Sequence, residues 1–273
     1  MTEMRIRAVD EPIRADQYLY ISTHGWEMGS ISLLRGRSGA PVTQFRYLAE
    51  HRSDQWVPAD RRRDWLIDRR PTGRRQWVLG SEEQARAAGY DVGDPGPVGR
   101  FQAPRGDFDG YLNGQPGCWQ IPDPAFLRAL PRDPEALLAR LDSDSPDNGP
   151  AYCGPFTYAS DALRSGLVPA DLRAALYQAL MRRSDVGTLD GVTDLDGHAC
   201  VALVHEAAGR RRELLINPQD GQYAGRRDTR TTDGGPGLGA GTVTSSTRVR
   251  TAVVDTLGEI PPTVAPRDSG PPN

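Results

Sequence analysis

The chain has 273 residues, a formal net charge of -3 and a hydrophobic fraction of 37%, with a mean hydropathy of -0.56 and a pI near 5.9. Its longest apolar run, about residues 200–204, falls far short of the ~20 residues a membrane-spanning helix needs, and no basic excess draws the chain onto nucleic acid. All 33 basic residues are arginine; without lysine there is no Schiff base, P-loop lysine or Ser-Lys dyad, which excludes pyridoxal-phosphate chemistry and Walker-type ATP hydrolysis.

In chain order, residues 17–22 place Tyr18 and Tyr20 on one face and Leu19 and Ile21 on the other, a strand with both faces covered. Residues 43–57 alternate through Phe45, Tyr47 and Ala49 and stop at Pro58, and residues 65–67 and 75–79 supply two shorter strands. Between Gly89 and Gly117 the chain carries eight glycines, with prolines at 95, 97, 104 and 116. That composition predicts loop, or short edge strands; so long a connection is a lid, a binding loop or, more commonly, ordinary surface.

Helix signals then cluster. Asp123-Pro124 and Asp133-Pro134 each set a capping acid before a proline at the first helical position, predicting short helices that end near Leu130 and Leu141. A third helix runs near residues 158–163 up to Gly166. A fourth opens at Pro169, with Leu172, Ala175, Leu176, Ala179 and Leu180 on one stripe and Arg182 and Arg183 at its end. The last third reads as an antiparallel meander, residues 186–195, 198–206, 212–216 and 222–230, broken at Asp196-Gly197, Ala208-Gly209 and Gln219-Asp220-Gly221. After a Gly-rich break at 232–241 come two more strands, 242–248 and 251–257, and a Pro-rich tail from Pro261 expected to be disordered. Strands, then helices, then strands, with no βαβ alternation, predict an α+β fold: one large curved antiparallel sheet, half-barrel-like, with the helices packed on one face, in a single domain over residues 12–260.

Several motifs come close to a chemistry and stop short. His205-Glu206 is followed at the fourth position by Gly209 where a zinc protease needs a second histidine, and the segment reads as a strand. His24, His51 and His198 lie on separate strands or turns and read as packed or exposed histidines, so no metal site is expected. Asp107, Asp109 and Asn113 gather oxygen ligands in a glycine-bounded loop but lack the spacing and terminal glutamate of an EF-hand, which favours a solvated turn. Gly235, Gly237, Gly239 and Gly241 have no helix behind them and read as a flexible hairpin loop rather than a phosphate cradle. No G-x-S-x-G occurs. Cys118, Cys153 and Cys200 form no C-x-x-C pair; Cys118 with Cys153 is the pairing to test, and Cys200 in an alternating strand is expected to be buried.

What remains is an aromatic set, Tyr18, Tyr20, Phe45, Tyr47, Trp56, Trp77 and Trp119. In a sheet curved around helices these side chains would line a concave apolar cleft for a lipid or other hydrophobic ligand; the alternative is that they are core.

Taken together, the segments 12–21, 55–60, 71–77, 121–141, 163–180, 191–203, 211–225 and 241–255 resemble an uncharacterised actinobacterial family, over about residues 12–260. Members of that family typically carry a membrane helix ahead of this domain and are often encoded beside an extracytoplasmic-function sigma factor. The order of elements is also similar to the half-barrels of periplasmic lipoprotein carriers and of the sensor domains that guard anti-sigma factors. The resemblance implies an extracytoplasmic, non-enzymatic domain, membrane-anchored through a segment that does not precede Pro12 here, without cofactor. It would bind a hydrophobic ligand or an envelope protein, as a sensor in a sigma-factor circuit. The alternative is a structural or interaction domain with no small ligand. No catalytic or binding residues are established for that family, so none carry over.

Overall fold

The computed structural model describes residues 7–33, 43–90, 92–93, 97–111, 114–146, 154–262, 264 and 270–272. Among them, nine antiparallel strands form one sheet in the order β4-β3-β2-β1-β9-β8-β7-β6-β5, with β4 and β5 as unjoined edges. The strands are β1 (Tyr18–Leu33), β2 (Thr43–Pro58), β3 (Asp64–Leu79), β4 (Gly99–Pro104), β5 (Val186–Thr193), β6 (Ala199–Ala207), β7 (Arg210–Ile216), β8 (Tyr223–Arg230) and β9 (Val243–Val254). The helices are α1 (Glu82–Ala87), α2 (Pro124–Ala129), α3 (Pro134–Asp144), α4 (Gly154–Arg164) and α5 (Ala170–Met181). The α+β curved sheet expected from the sequence is the architecture found.

Differences from the expected elements are informative. The two short strands at 65–67 and 75–79 are the ends of a single 16-residue strand, β3, and the pair expected over 242–257 is the single strand β9. Strand β1 runs on to Leu33, well past Ser22. Part of the Gly-rich connection is β4, a short edge strand against β3 as expected, whereas α1, which follows β3 with Ser81 as its N-cap, the hydroxyl accepting from Gln84 N, was not among the expected helices.

The caps work as the sequence implies. Asp123 accepts from Phe126 N at 2.7 Å and Asp133 from Ala136 N at 2.9 Å, each satisfying one orphan donor of a helix start. Helix α5 opens at Pro169, which provides no side-chain cap; instead Asp10 reaches across, its carboxylate accepting from Ala170 N at 2.7 Å and pairing with Arg173 at 2.8 Å. The α5 stripe Leu172, Ala175, Leu176, Ala179 and Leu180 is buried against Leu203, Leu214 and Ile216 of the sheet, and each fully buried leucine contributes about 1.5–3 kcal/mol. Helices α4 and α5 therefore seal the β5–β9 half of their face, with α4 on β8 and α5 on β5 and β6. Beyond Pro261, Val264 packs against the Tyr20 and Trp56 cluster on the opposite face.

Candidate functional site: a cleft on the helix side of β1–β3

Because the helices gather over the β5–β9 half, part of β1–β3 on the same face stays open, and a cleft of about 950 Å3 lies there. Its floor follows the strand register. One rung is Ile21, Gln55 and Ile67; the next is Thr23, Ser53 and Arg69. His51 lies one rung further, opposite Gly25, and a Cβ at Gly25 would sit 2.7 Å from the imidazole, so the ring rests on the bare glycine backbone. The walls come from the turn after β4 (residues 105–111), residues 120–128 and the end of α4 with Asp161 and Arg164. Trp65 forms the apolar end. It is held by its indole N–H donating to the Arg61 carbonyl at 3.1 Å and is covered by Gly106, whose φ of 75° and lack of Cβ (one would meet the ring at 2.2 Å) are both required there. A second cavity of about 500 Å3 shares His51, Ser53 and Arg69 and carries the groove on to Tyr47 and Arg75. From Gln55 to Tyr47 along β2 is eight residues, or ~26 Å of groove at strand spacing.

The charges in the cleft are unequally partnered. Asp109 is taken by Arg69 through two bonds of 2.8 and 2.7 Å, which hold its carboxyl below the ordinary range. Asp60 is held by Arg62 at 2.9 and 3.0 Å, and Asp123 is occupied capping α2. Burial raises the Asp161 carboxyl despite Arg164, Arg226 and Arg212, favouring its neutral form. Burial also depresses the His51 imidazole, with Glu27 opposing, so it sits neutral on the floor.

The seven aromatics proposed from sequence do not meet in this cleft. Tyr20 and Trp56 are fully buried on the opposite face with ring centroids 5.4 Å apart, beside Tyr18 and Leu66. The Trp56 indole donates to the Glu259 carbonyl at 2.6 Å. Trp119 lies in the helix-side core and donates to Asp144 at 2.8 Å. Phe45, Tyr47 and Trp77 do share a cluster on the helix-facing side, at its far end with Ala85 and Val92, and of the seven only Tyr47 lines the groove. The aromatics of the cleft are Trp65, Phe108 and Tyr111; the sequence offered Trp65 only as the start of a short strand and Phe108 and Tyr111 only as parts of a glycine-bounded turn. Tyr111 is 75% exposed, and its one signal in the sequence is an aromatic residue beside a glycine-bounded acidic loop.

The other near-motifs resolve simply. His205 lies on β6, stacked on Phe156 and 3.5 Å from Asp185. Asp109 is occupied by Arg69, and Asn113 lies outside the described residues. No group of three His, Cys, Asp or Glu among the described residues is placed to hold a metal ion. Cys118 is an exposed free thiol, and Cys200 is buried with its thiol pushed up to about 11 by burial; Cys153 lies outside the described residues.

On the opposite face lies a sealed ionic network that the sequence did not announce. His24 Nε2 is 2.8 Å from Glu50, and Arg248 Nε is 2.8 Å from Asp196, which the β5–β6 turn folds over the sheet to within 3.8 Å of His24 Nδ1. Arg250 pairs with Asp194 in the same turn, while Tyr20 donates to Asp54 at 2.6 Å and Arg70 pairs with Asp54. His24 and Arg248 are 0% exposed, so the centre of this network is sealed and holds the β5–β6 turn against β1 and β9, while Glu50 and Arg70 at its margin line the 500 Å3 cavity. No family model, curated protein or solved structure matches the chain. Fold and cleft define an α+β protein with an open-edged sheet and a groove on its helix-bearing face.

Proposed function

We propose that this chain is a non-enzymatic extracytoplasmic domain that binds a hydrophobic ligand in the helix-side groove and serves as a sensor in a sigma-factor circuit. The observation that carries the reading is the groove itself: two contiguous cavities of about 950 and 500 Å3, in the size range of small-molecule sites, with Ile21, Ile67, Trp65 and Phe108 at one end and Tyr47 at the other. Its length suits a flexible chain rather than a compact ligand. The extracytoplasmic and signalling parts of the proposal rest on the family resemblance drawn from the sequence.

Native mass spectrometry of protein purified without detergent tests the binding step, because a preformed groove that holds lipid tightly carries it through purification. The expected result is an adduct of lipid mass that is lost in the Phe108→Ala, Tyr111→Ala double variant while the unfolding transition stays cooperative. A clean apo mass with no uptake of a fluorescent fatty acid would overturn the reading and leave an interaction domain for an envelope protein. For the signalling step, deletion of the gene is expected to change a sigma-factor reporter; an unchanged reporter removes that part.

A further inference from the structure

Three of the cleft's carboxylates are spent, and three of its guanidinium groups are not. Asp60, Asp109 and Asp123 are engaged by Arg62, Arg69 and the α2 backbone, but the side chains of Arg61, Arg105 and Arg128, all lining the 950 Å3 cleft, have no hydrogen bond or ion pair among the described residues. Arg164 has only a 4.0 Å contact with Asp161.

Arg61 stands apart from the rest. It lies in the turn between β2 and β3, where its carbonyl is fixed by the Trp65 indole, and it lines both this cleft and a neighbouring cavity of about 550 Å3. Burial disfavours its charged form and only Asp10 offsets this. A half-buried, unpaired guanidinium is costly to keep unless something supplies the counter-charge. Arg105, which lines the same cleft, has a left-handed backbone, φ 56°, a conformation uncommon for a residue with a side chain. This positive surplus sits in a protein whose net charge is -3.

We propose that the groove's ligand is an anionic amphiphile, its carboxylate or phosphate held by Arg61 with Arg105 and Arg128, and its apolar body running along the β1–β3 floor past Trp65 toward Tyr47. The planar fork of arginine suits an oxyanion. The inference rests on the binding reading above and adds the class of head group.

The test titrates the full chain with a dansylated undecanoic acid, with its methyl ester and with inorganic phosphate as competitor. The acid is expected to bind about tenfold or more tighter than the ester. Arg61→Gln should remove that preference and leave the ester affinity unchanged, and Arg86→Gln, remote on α1, should change neither. Equal affinity for acid and ester, unaffected by Arg61→Gln, would overturn the anionic subsite and leave the groove intact. Displacement of the acid by millimolar phosphate would overturn the amphiphile and mark a free-oxyanion site. Binding of neither probe would overturn the groove and the subsite together. A circular-dichroism melt of each variant separates loss of binding from loss of fold.

Discussion

On the opposite face, Arg248 and Asp196 meet at 2.8 Å with both side chains closed to solvent; across the same sheet, Arg61 lines an open cleft with no carboxylate in ion-pairing reach among the described residues. Both arginines are affected by burial in the same direction, yet only one has a partner supplied by the fold. The difference separates structural charge from charge available to a ligand. A buried ion pair contributes little over an apolar substitute but is expensive to break, because the survivor is left uncompensated. An unpaired guanidinium at a cavity wall adds no stability to the fold and carries a desolvation cost, so its removal is neutral to slightly stabilising.

The largest predicted effect breaks the sealed side. Asp196→Ala should destabilise the protein by about 3–5 kcal/mol, read as a lower urea midpoint, whereas Arg61→Gln should change stability by no more than about 0.5 kcal/mol. A loss below about 1 kcal/mol for Asp196→Ala would mean that water reaches the network and the contrast between faces is false. Next comes an intermediate case, Asp10, half-exposed itself but holding both a 4%-exposed arginine, Arg173, and the first free N–H of α5. Asp10→Ala should cost about 2 kcal/mol, a cap plus a charged hydrogen bond.

Titration separates the faces again, by pH window. In the cleft, His51 has a folded-state pKa below its ordinary 6.5, so the unfolded chain takes up the proton first; His205, buried on β6, behaves alike. Their contribution is present above pH 6.5 and declines as pH falls from there through the folded values. In the network, burial would raise the Glu50 carboxyl, but hydrogen bonds from Thr72, His24 and Arg52 outweigh it and hold the group below its ordinary 4.5. That contribution is intact above pH 4.5 and is lost as pH drops further. Urea midpoints from pH 8 to 3 should therefore fall in two stages, and His51→Gln should flatten only the upper one. If His51→Gln leaves the slope between pH 7 and 5 unchanged, the imidazole is not sealed on the groove floor.

The same contrast accounts for what the sequence disclosed. The α5 stripe was legible because it buries an apolar face at a regular period, the starts of α2 and α3 because an Asp-Pro pair caps a helix locally, and the β5–β8 meander because glycine-bearing turns separate its strands. The long strands were read short wherever they turn polar for a reason outside the local pattern. Residues 68–75 of β3 hold Asp68, four arginines and Pro71, which reads as a turn; in the fold these positions pair with β2 through a register shift at Ala49/His51. Beyond Ile21, the helix-side rungs of β1 are Thr23, Gly25, Glu27 and Gly29, because the groove and not the core lies above them. The network was hidden for the opposite reason: His24, Glu50 and Arg248 look like surface residues until the β5–β6 turn closes over them. The aromatics were visible, but their division between two faces depends on pairing register, which composition does not carry.

The smallest effect tests the boundary between the two kinds of charge. Arg69 on the cleft floor and Asp109 in its wall form a two-bond pair, and both side chains remain partly exposed, 24% and 34%. Solvent screening limits such a pair to about 0.2–1 kcal/mol, so a double-mutant cycle of Arg69→Gln and Asp109→Asn should give a coupling in that range, falling as salt is raised. The pair matters more for the ligand than for the fold: while Asp109 holds Arg69, the cleft's positive surplus stays on Arg61, Arg105 and Arg128. Asp109→Asn should therefore free Arg69 as a fourth cation and tighten uptake of the dansylated acid without affecting the ester. An unchanged acid affinity would place the anion away from the β3 floor, at the Arg61 end alone.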